Sequence, residues 1–193
     1  MDLTQGTDQE KRARAKKMML WFGIGSLLMG FAGWTSAYIV SSSREDWLKD
    51  FDLPQAFFVS TIIILISSIT YFIAKNAVKK NNRKTGTFGL IVTLVLGITF
   101  IILQFTGFSQ MIGQGYYFTG PTSSITMSYI FLIALVHILH VVAGLVSLIV
   151  VLYNHLQHKY SSNNMLGLEM GATFWHFLDL LWVYLILFFY FFR

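Results

Sequence analysis

Five apolar runs, at residues 18–40, 54–74, 88–108, 125–153 and 172–192, alternate with short polar segments along this chain. At ~1.5 Å of rise per residue, a helix of about 20 residues crosses a ~30 Å hydrocarbon core, and every run is long enough. Backbone inside lipid must satisfy its own hydrogen bonds, so each run is expected to be helical. The pattern predicts an all-α integral membrane protein, a bundle of five transmembrane helices. A polar tail over residues 1–17 precedes a single five-helix domain over residues 18–193. The fourth run is the longest and is expected to tilt or project from the membrane. Pro54 opens the second run, where its missing N–H costs little. No repeat relates the five runs, which argues against an inverted-repeat transporter.

Within the runs, small and polar residues recur at helical spacing. Gly23, Ser26, Gly30, Gly33 and Ala37 fall at intervals of three and four, a seam at which another backbone can approach closely. His137, His140, Gly144 and Ser147 share one face of the fourth run. Trp175, His176, Asp179 and Trp182 make one polar and aromatic stripe on the fifth, with Glu169 just ahead of it. Asp179 is the only acidic residue inside an apolar run. A charge at membrane depth costs about 2.5–3.5 kcal/mol on insertion scales, so this carboxyl is expected to face protein or water and to have a partner. Residue counting along antiparallel spans sets Gly144 and Ser147 near its depth, where Gly144 would let the fourth and fifth helices approach.

Composition sharpens this picture. Of the 193 residues, 55% are hydrophobic and only 12% are charged, against roughly 25% in soluble domains. The absence of cysteine excludes disulfides, thiolate zinc sites, iron–sulfur clusters and cysteine nucleophiles together. Eleven of the 14 Lys and Arg residues fall in the N-terminal tail, the second loop and the fourth loop. That asymmetry places the N-terminus in the cytoplasm and the C-terminus outside. It also accounts for the net charge of +5 without nucleic acid, which is not an expected partner. The first sixteen residues are polar and the first run exceeds a signal h-region, so no cleaved signal is expected.

Candidate chemistry is sparse. His137 and His140 lie three apart on one helix and cannot be the two opposed axial ligands of one haem. A metal would need three or four convergent ligands, and only Asp179 and Glu169 remain to help. No catalytic, cofactor or metal residue is therefore assigned. His137, His140, Gly144, Glu169, Trp175, His176, Asp179 and Trp182 are candidates for a structural polar core, hydrogen-bonded within the bundle. A proton-relay role for Asp179 is the competing reading, although no chain of acids continues across the membrane.

The segments Gly167-Leu168-Glu169 and Trp175-His176-Phe177-Leu178-Asp179-Leu180-Leu181-Trp182 closely resemble the last-helix signature of haem–copper oxidase subunit III. His137-Ile138-Leu139-His140-Val141-Val142-Ala143-Gly144 is similar to the H-x-x-H-V-x-x-G motif on that family's preceding helix. The connector also fits, with Ser161-Ser162-Asn163-Asn164 ahead of Gly167. The likeness is strongest over residues 125–192. Family members often have seven helices, and this chain resembles the five-helix form without the first two. Leu27 stands where many members carry a buried glutamate.

The resemblance implies a non-redox accessory subunit of a terminal oxidase in a bacterial inner (plasma) membrane. Such a subunit braces the catalytic subunit and supports proton uptake. Expected partners are catalytic subunit I, the other oxidase subunits, membrane lipid and a respiratory supercomplex. No cofactor is expected in this chain: haem and copper belong to the partner subunits, and a bound phospholipid is the one non-protein group foreseen. The alternatives are the accessory subunit of a nitric-oxide reductase-type complex and a small transporter using Asp179.

Overall fold

The computed structural model describes residues 7–48, 51–120, 123–161 and 164–192. Ser162 and Asn163 of the connector, and the first six residues of the tail, lie outside them. Five helices follow one another: α1 (Asp8–Ser41), α2 (Gln55–Lys79), α3 (Arg83–Gly113), α4 (Ile125–Leu156) and α5 (Leu166–Phe191). All five are long and apolar enough to cross a membrane, and the described residues contain no strand.

Most helices outrun the apolar runs that announce them, because hydropathy marks lipid while hydrogen bonding marks the helix end. α1 begins ten residues before Met18, within the polar tail. Thr7 Oγ1 accepts from the Glu10 N–H and Glu10 accepts from the Thr7 N–H, a reciprocal cap that satisfies two otherwise orphaned donors. The Thr7 backbone bond, and then its side chain, hold the Glu10 carboxyl below the usual range. At the start of α3 the Asn82 side chain accepts from the Thr85 N–H. The α2–α3 turn before it places Asn81 at φ 57°, a left-handed conformation that asparagine tolerates better than most residues. α4 runs to Leu156 and α5 starts at Leu166, so both helices extend into the polar stretch between the fourth and fifth runs.

Helices α2, α3, α4 and α5 pack in a ring, each against its neighbours in chain order, with α5 closing on α2. α1 stands outside this ring and touches only α4 and α5. Its seam of small residues does not serve that contact: added Cβ atoms at Gly23, Gly30 and Gly33 would meet nothing within 4 Å. The face that docks instead carries Ile24, Phe31, Thr35 and Tyr38. α2 and α3 approach closely inside the ring, a Cβ at Gly89 lying 2.8 Å from the Ala74 Cβ and 3.2 Å from its Cα. In lipid such close packing, with interhelical hydrogen bonds, is what associates helices.

Three contacts set α1 parallel to α5 and antiparallel to α4. At the end holding the basic segments, Lys17, just ahead of the first apolar run, meets Glu169 at the start of α5, 3.0 Å apart. At the opposite end Ser41 Oγ lies 3.1 Å from the Tyr129 hydroxyl at the start of α4, and the Leu48 N–H donates to Thr126 Oγ1.

A buried polar joint between α5 and α2

The inner face of α5 presents Trp175, Asp179 and Trp182, all buried, with His176 half-buried beside them. Opposite them α2 offers two hydroxyl pairs seven residues apart, Ser60-Thr61 and Ser67-Ser68. The register is antiparallel and matches pair for pair. Trp175 Nε1 donates to Ser67 Oγ at 3.2 Å and Trp182 Nε1 donates to Thr61 Oγ1 at 3.0 Å. His176 Nδ1 and Ser68 Oγ lie 2.6 Å apart. The hydroxyls are themselves anchored: Thr61 Oγ1 donates to the Phe57 carbonyl, and Gln104 of α3 donates to Ser60 Oγ at 2.8 Å.

Trp175 reaches furthest. A Cβ added at Gly97 of α3 would stand 2.7 Å from its Cη2, and one at Gly144 of α4 would stand 3.3 Å from its Cε3 and 2.8 Å from Leu178 Cδ1. One side chain of α5 thus touches α2, α3 and α4, and two glycines make room for it. Trp182 is packed edge-on by Phe57 and Phe100 and stacks on His137, with centroids 5.2 Å apart and planes at 26°.

His137 is fully buried, and neither ring nitrogen has a hydrogen-bond partner in the protein. Phe31 and Phe100 pack their edges against it, so its contacts are those of an aromatic ring. His140 differs. Its Nδ1 donates to the Val136 carbonyl at 2.7 Å, which assigns the proton to that nitrogen because a carbonyl only accepts. Both histidines lean on Phe31 and so help to seat α1. Glu169 stands apart from the joint and pairs with Lys17 at the surface, where such an ion pair is worth about 0–1 kcal/mol.

Asp179 faces protein, and the Ser68 hydroxyl of α2 bonds to its carboxyl. It is 3% exposed, yet its Oδ2 has no partner in the protein. Ser147, placed near its depth by counting, bonds no part of it. Among the described residues no three His, Asp or Glu side chains converge as a metal site would require. The residues that sequence reasoning missed are the α2 hydroxyls. Their signal was present as two Ser/Thr pairs seven apart in the second run, the same interval that separates Trp175 from Trp182.

A ring of four membrane-spanning helices, closed by tryptophan–hydroxyl bonds and carrying a fifth helix on its outside, defines a multi-pass helical membrane subunit. A family model described as cytochrome c oxidase subunit III matches residues 46–193, which include all of α2 to α5. The chain is 36% identical over 130 residues to cytochrome c oxidase subunit 3 of Spodoptera frugiperda, covering 66% of this chain and 82% of that protein. Against the same subunit of Drosophila melanogaster it is 32% identical over 157 residues, 80% of this chain and 53% of the other. Against the cytochrome bo(3) ubiquinol oxidase subunit 3 of Pseudomonas aeruginosa it is 33% identical over 133 residues, 69% and 62% respectively. The chain spans about half the length of the fly relative and under two thirds of the bacterial one. It belongs to the cytochrome c oxidase subunit III family.

Proposed function

We propose that this chain is the non-redox subunit of a proton-translocating haem–copper oxidase in a bacterial inner membrane, and that it braces catalytic subunit I. Membership of the family supports reading it as an accessory subunit III of a haem–copper oxidase. The observation that carries the bracing role is the joint itself. The signature residues of α5 are spent on contacts within the chain: Trp175 and Trp182 bond to α2, and the His137 ring is stacked on Trp182. What remains is a rigid apolar body offered to the other subunits, with haem and copper held by them. Relatives of both the cytochrome c and the ubiquinol type support an oxidase with either donor, the donor being chosen by subunits other than this one.

Two measurements test this reading. Affinity purification of the tagged chain from its native membrane should bring down a haem–copper subunit, and the complex should consume oxygen. The chain purified alone should show no stoichiometric Soret band. A nitric-oxide-reducing complex in the pull-down, or haem in the isolated chain, would replace the proposal.

The orientation is part of the same proposal: the basic end faces the cytoplasm. The chain lacks cysteine, so single cysteines report sidedness without background. Cysteines at Ser43 and Thr119 should react with an impermeant maleimide in intact cells, whereas those at Asn82 and Ser161 should react only after lysis. Labelling of the Asn82 position from outside reverses the orientation.

A further inference from the structure

Two glycines one turn apart on α5, Gly167 and Gly171, each lie against a tyrosine hydroxyl. Tyr160, from the α4–α5 connector, seats its hydroxyl on Gly167 and hydrogen-bonds to the Asn154 side chain. Tyr71 reaches the second glycine from α2. A Cβ added at Gly171 would stand 2.7 Å from the Tyr71 Oη and 3.7 Å from Ser147 Oγ of α4. The Tyr71 side chain is wholly buried, and its hydroxyl has no hydrogen-bond partner in the protein. Buried polar groups are rarely left in that state, and where the protein supplies no partner an ordered water normally does.

A groove of about 430 Å³ between α4 and α5 leads to this place from the basic end. Lys16, Asn154 and Tyr160 line its mouth, and Ser147 and Gly171 line its deeper part. Gly171 lies five residues inside α5, ~8 Å along the helix. The Tyr71 and Ser147 oxygens both stand within 4 Å of one point, and they do not bond to each other. A single water, with hydrogen bonds of about 2.7–2.8 Å, spans such a pair. An acyl chain in the same place offers neither donor nor acceptor and leaves the Tyr71 hydroxyl desolvated without compensation.

We propose that this groove is a water inlet. Water enters between α4 and α5 at the basic end and is bound by the Tyr71 hydroxyl, with Ser147 as its second protein partner. The Tyr71 ring lies 5.9 Å from that of His176, centroid to centroid. The inlet therefore brings water to the edge of the polar joint between α2 and α5, one side chain short of it. It rests on residues of this chain alone and is independent of the oxidase reading.

The test uses the full chain in phosphatidylcholine nanodiscs, exposed to an X-ray pulse in heavy-oxygen water. Radiolysis of a bound water hydroxylates the side chains touching it, and mass spectrometry maps the incorporated label. Tyr71 should be labelled well above Phe100, which is equally buried but packed among aromatic rings. Ser147→Val puts methyl groups where the water sits and leaves Tyr71 unaltered. Its Tyr71 label should fall to the Phe100 level, while that of Met170 on the groove wall persists and reports an intact fold. Wild-type labelling of Tyr71 no higher than that of Phe100 would overturn the inlet, because the place is then dry or filled by an acyl chain. That comparison decides by itself should the variant not fold. Labelling of Tyr71 that Ser147→Val leaves unchanged would equally overturn it.

Discussion

Trp175→Ala should destabilise the chain by about 3–5 kcal/mol, the range for emptying a buried tryptophan site. That is a large share of a typical folding free energy of about 5–15 kcal/mol. The ring is 1% exposed and bonds to Ser67 on α2, while Gly97 on α3 and Gly144 on α4 close over it. Its loss opens a void that three helices border, and the Ser67 hydroxyl loses its donor. Gly97→Ala attacks the same contact from the other side, since the new Cβ would stand 2.7 Å from Trp175 Cη2 and 2.8 Å from Leu145 Cδ2. The indole is held by its hydrogen bond and cannot swing away, so overpacking of about 1–3 kcal/mol is expected. Phenylalanine has no atom equivalent to Cη2. Trp175→Phe should therefore cost less in a Gly97→Ala background than in the wild type, and a double-mutant cycle should show coupling of the sign that marks relief. Unfolding midpoints in mild detergent, followed by circular dichroism, supply the measurement. Strict additivity of the two substitutions would mean that the ring and the glycine do not share this contact.

Asp179→Leu should leave the isolated chain as stable as the wild type or more so, by up to about 1–3 kcal/mol, while Asp179→Asn should bring no such gain. The sequence leads one to expect the reverse, because a carboxyl at membrane depth ought to have a partner that leucine would strand. In the structure that partner is Ser68, and it would not be stranded. Oδ2 has no protein partner, and the Ser68 hydroxyl that bonds to the carboxyl keeps His176 Nδ1 at 2.6 Å as a second partner. Replacing a buried group whose bonding is incomplete by an apolar one of similar size removes a desolvation cost and leaves Ser68 its bond to His176. Asparagine stays polar and keeps that cost. In the assembled oxidase the two variants separate packing from proton handling: a packing role leaves oxygen consumption unchanged in both, and a relay role slows both alike. A Leu variant that unfolds more readily than wild type, alone in detergent, would show that the carboxyl is better satisfied than its protein contacts indicate.

Much of the fold was open to reading from the amino acids, for a physical reason. Lipid imposes one length and one backbone solution, so five apolar runs become five helices whatever their packing. The helix ends were less legible, because the caps at Thr7 and Asn82 sit in polar segments where hydropathy is silent. Which helices touch was not legible either. The small residues of α1 are spaced as a packing seam should be, yet Gly23, Gly30 and Gly33 look away from this chain and α1 docks through Ile24, Phe31 and Tyr38. In the joint, Asp179 stood out as a costly residue in lipid and Trp175 and Trp182 as its aromatic stripe, whereas the serines and threonines that receive the two indoles are small and common in spans. Recognising them requires knowing that α5 lies beside α2, and periodicity within one helix does not report its neighbour.

The place of α1 also sets a timetable for synthesis. It touches α4 and α5 and neither α2 nor α3, so no helix made soon after it can receive it. The ribosome must pass beyond Ile125 before the first docking surface exists, which at ~5–20 residues per second takes several seconds. Throughout that interval α1 resides in the bilayer unaccompanied, although its membrane-spanning window is the least apolar of the five. A chaperone or insertase that shelters a solitary helix would matter most for this segment, and a ribosome stalled between α2 and α4 should leave α1 exposed to intramembrane proteolysis.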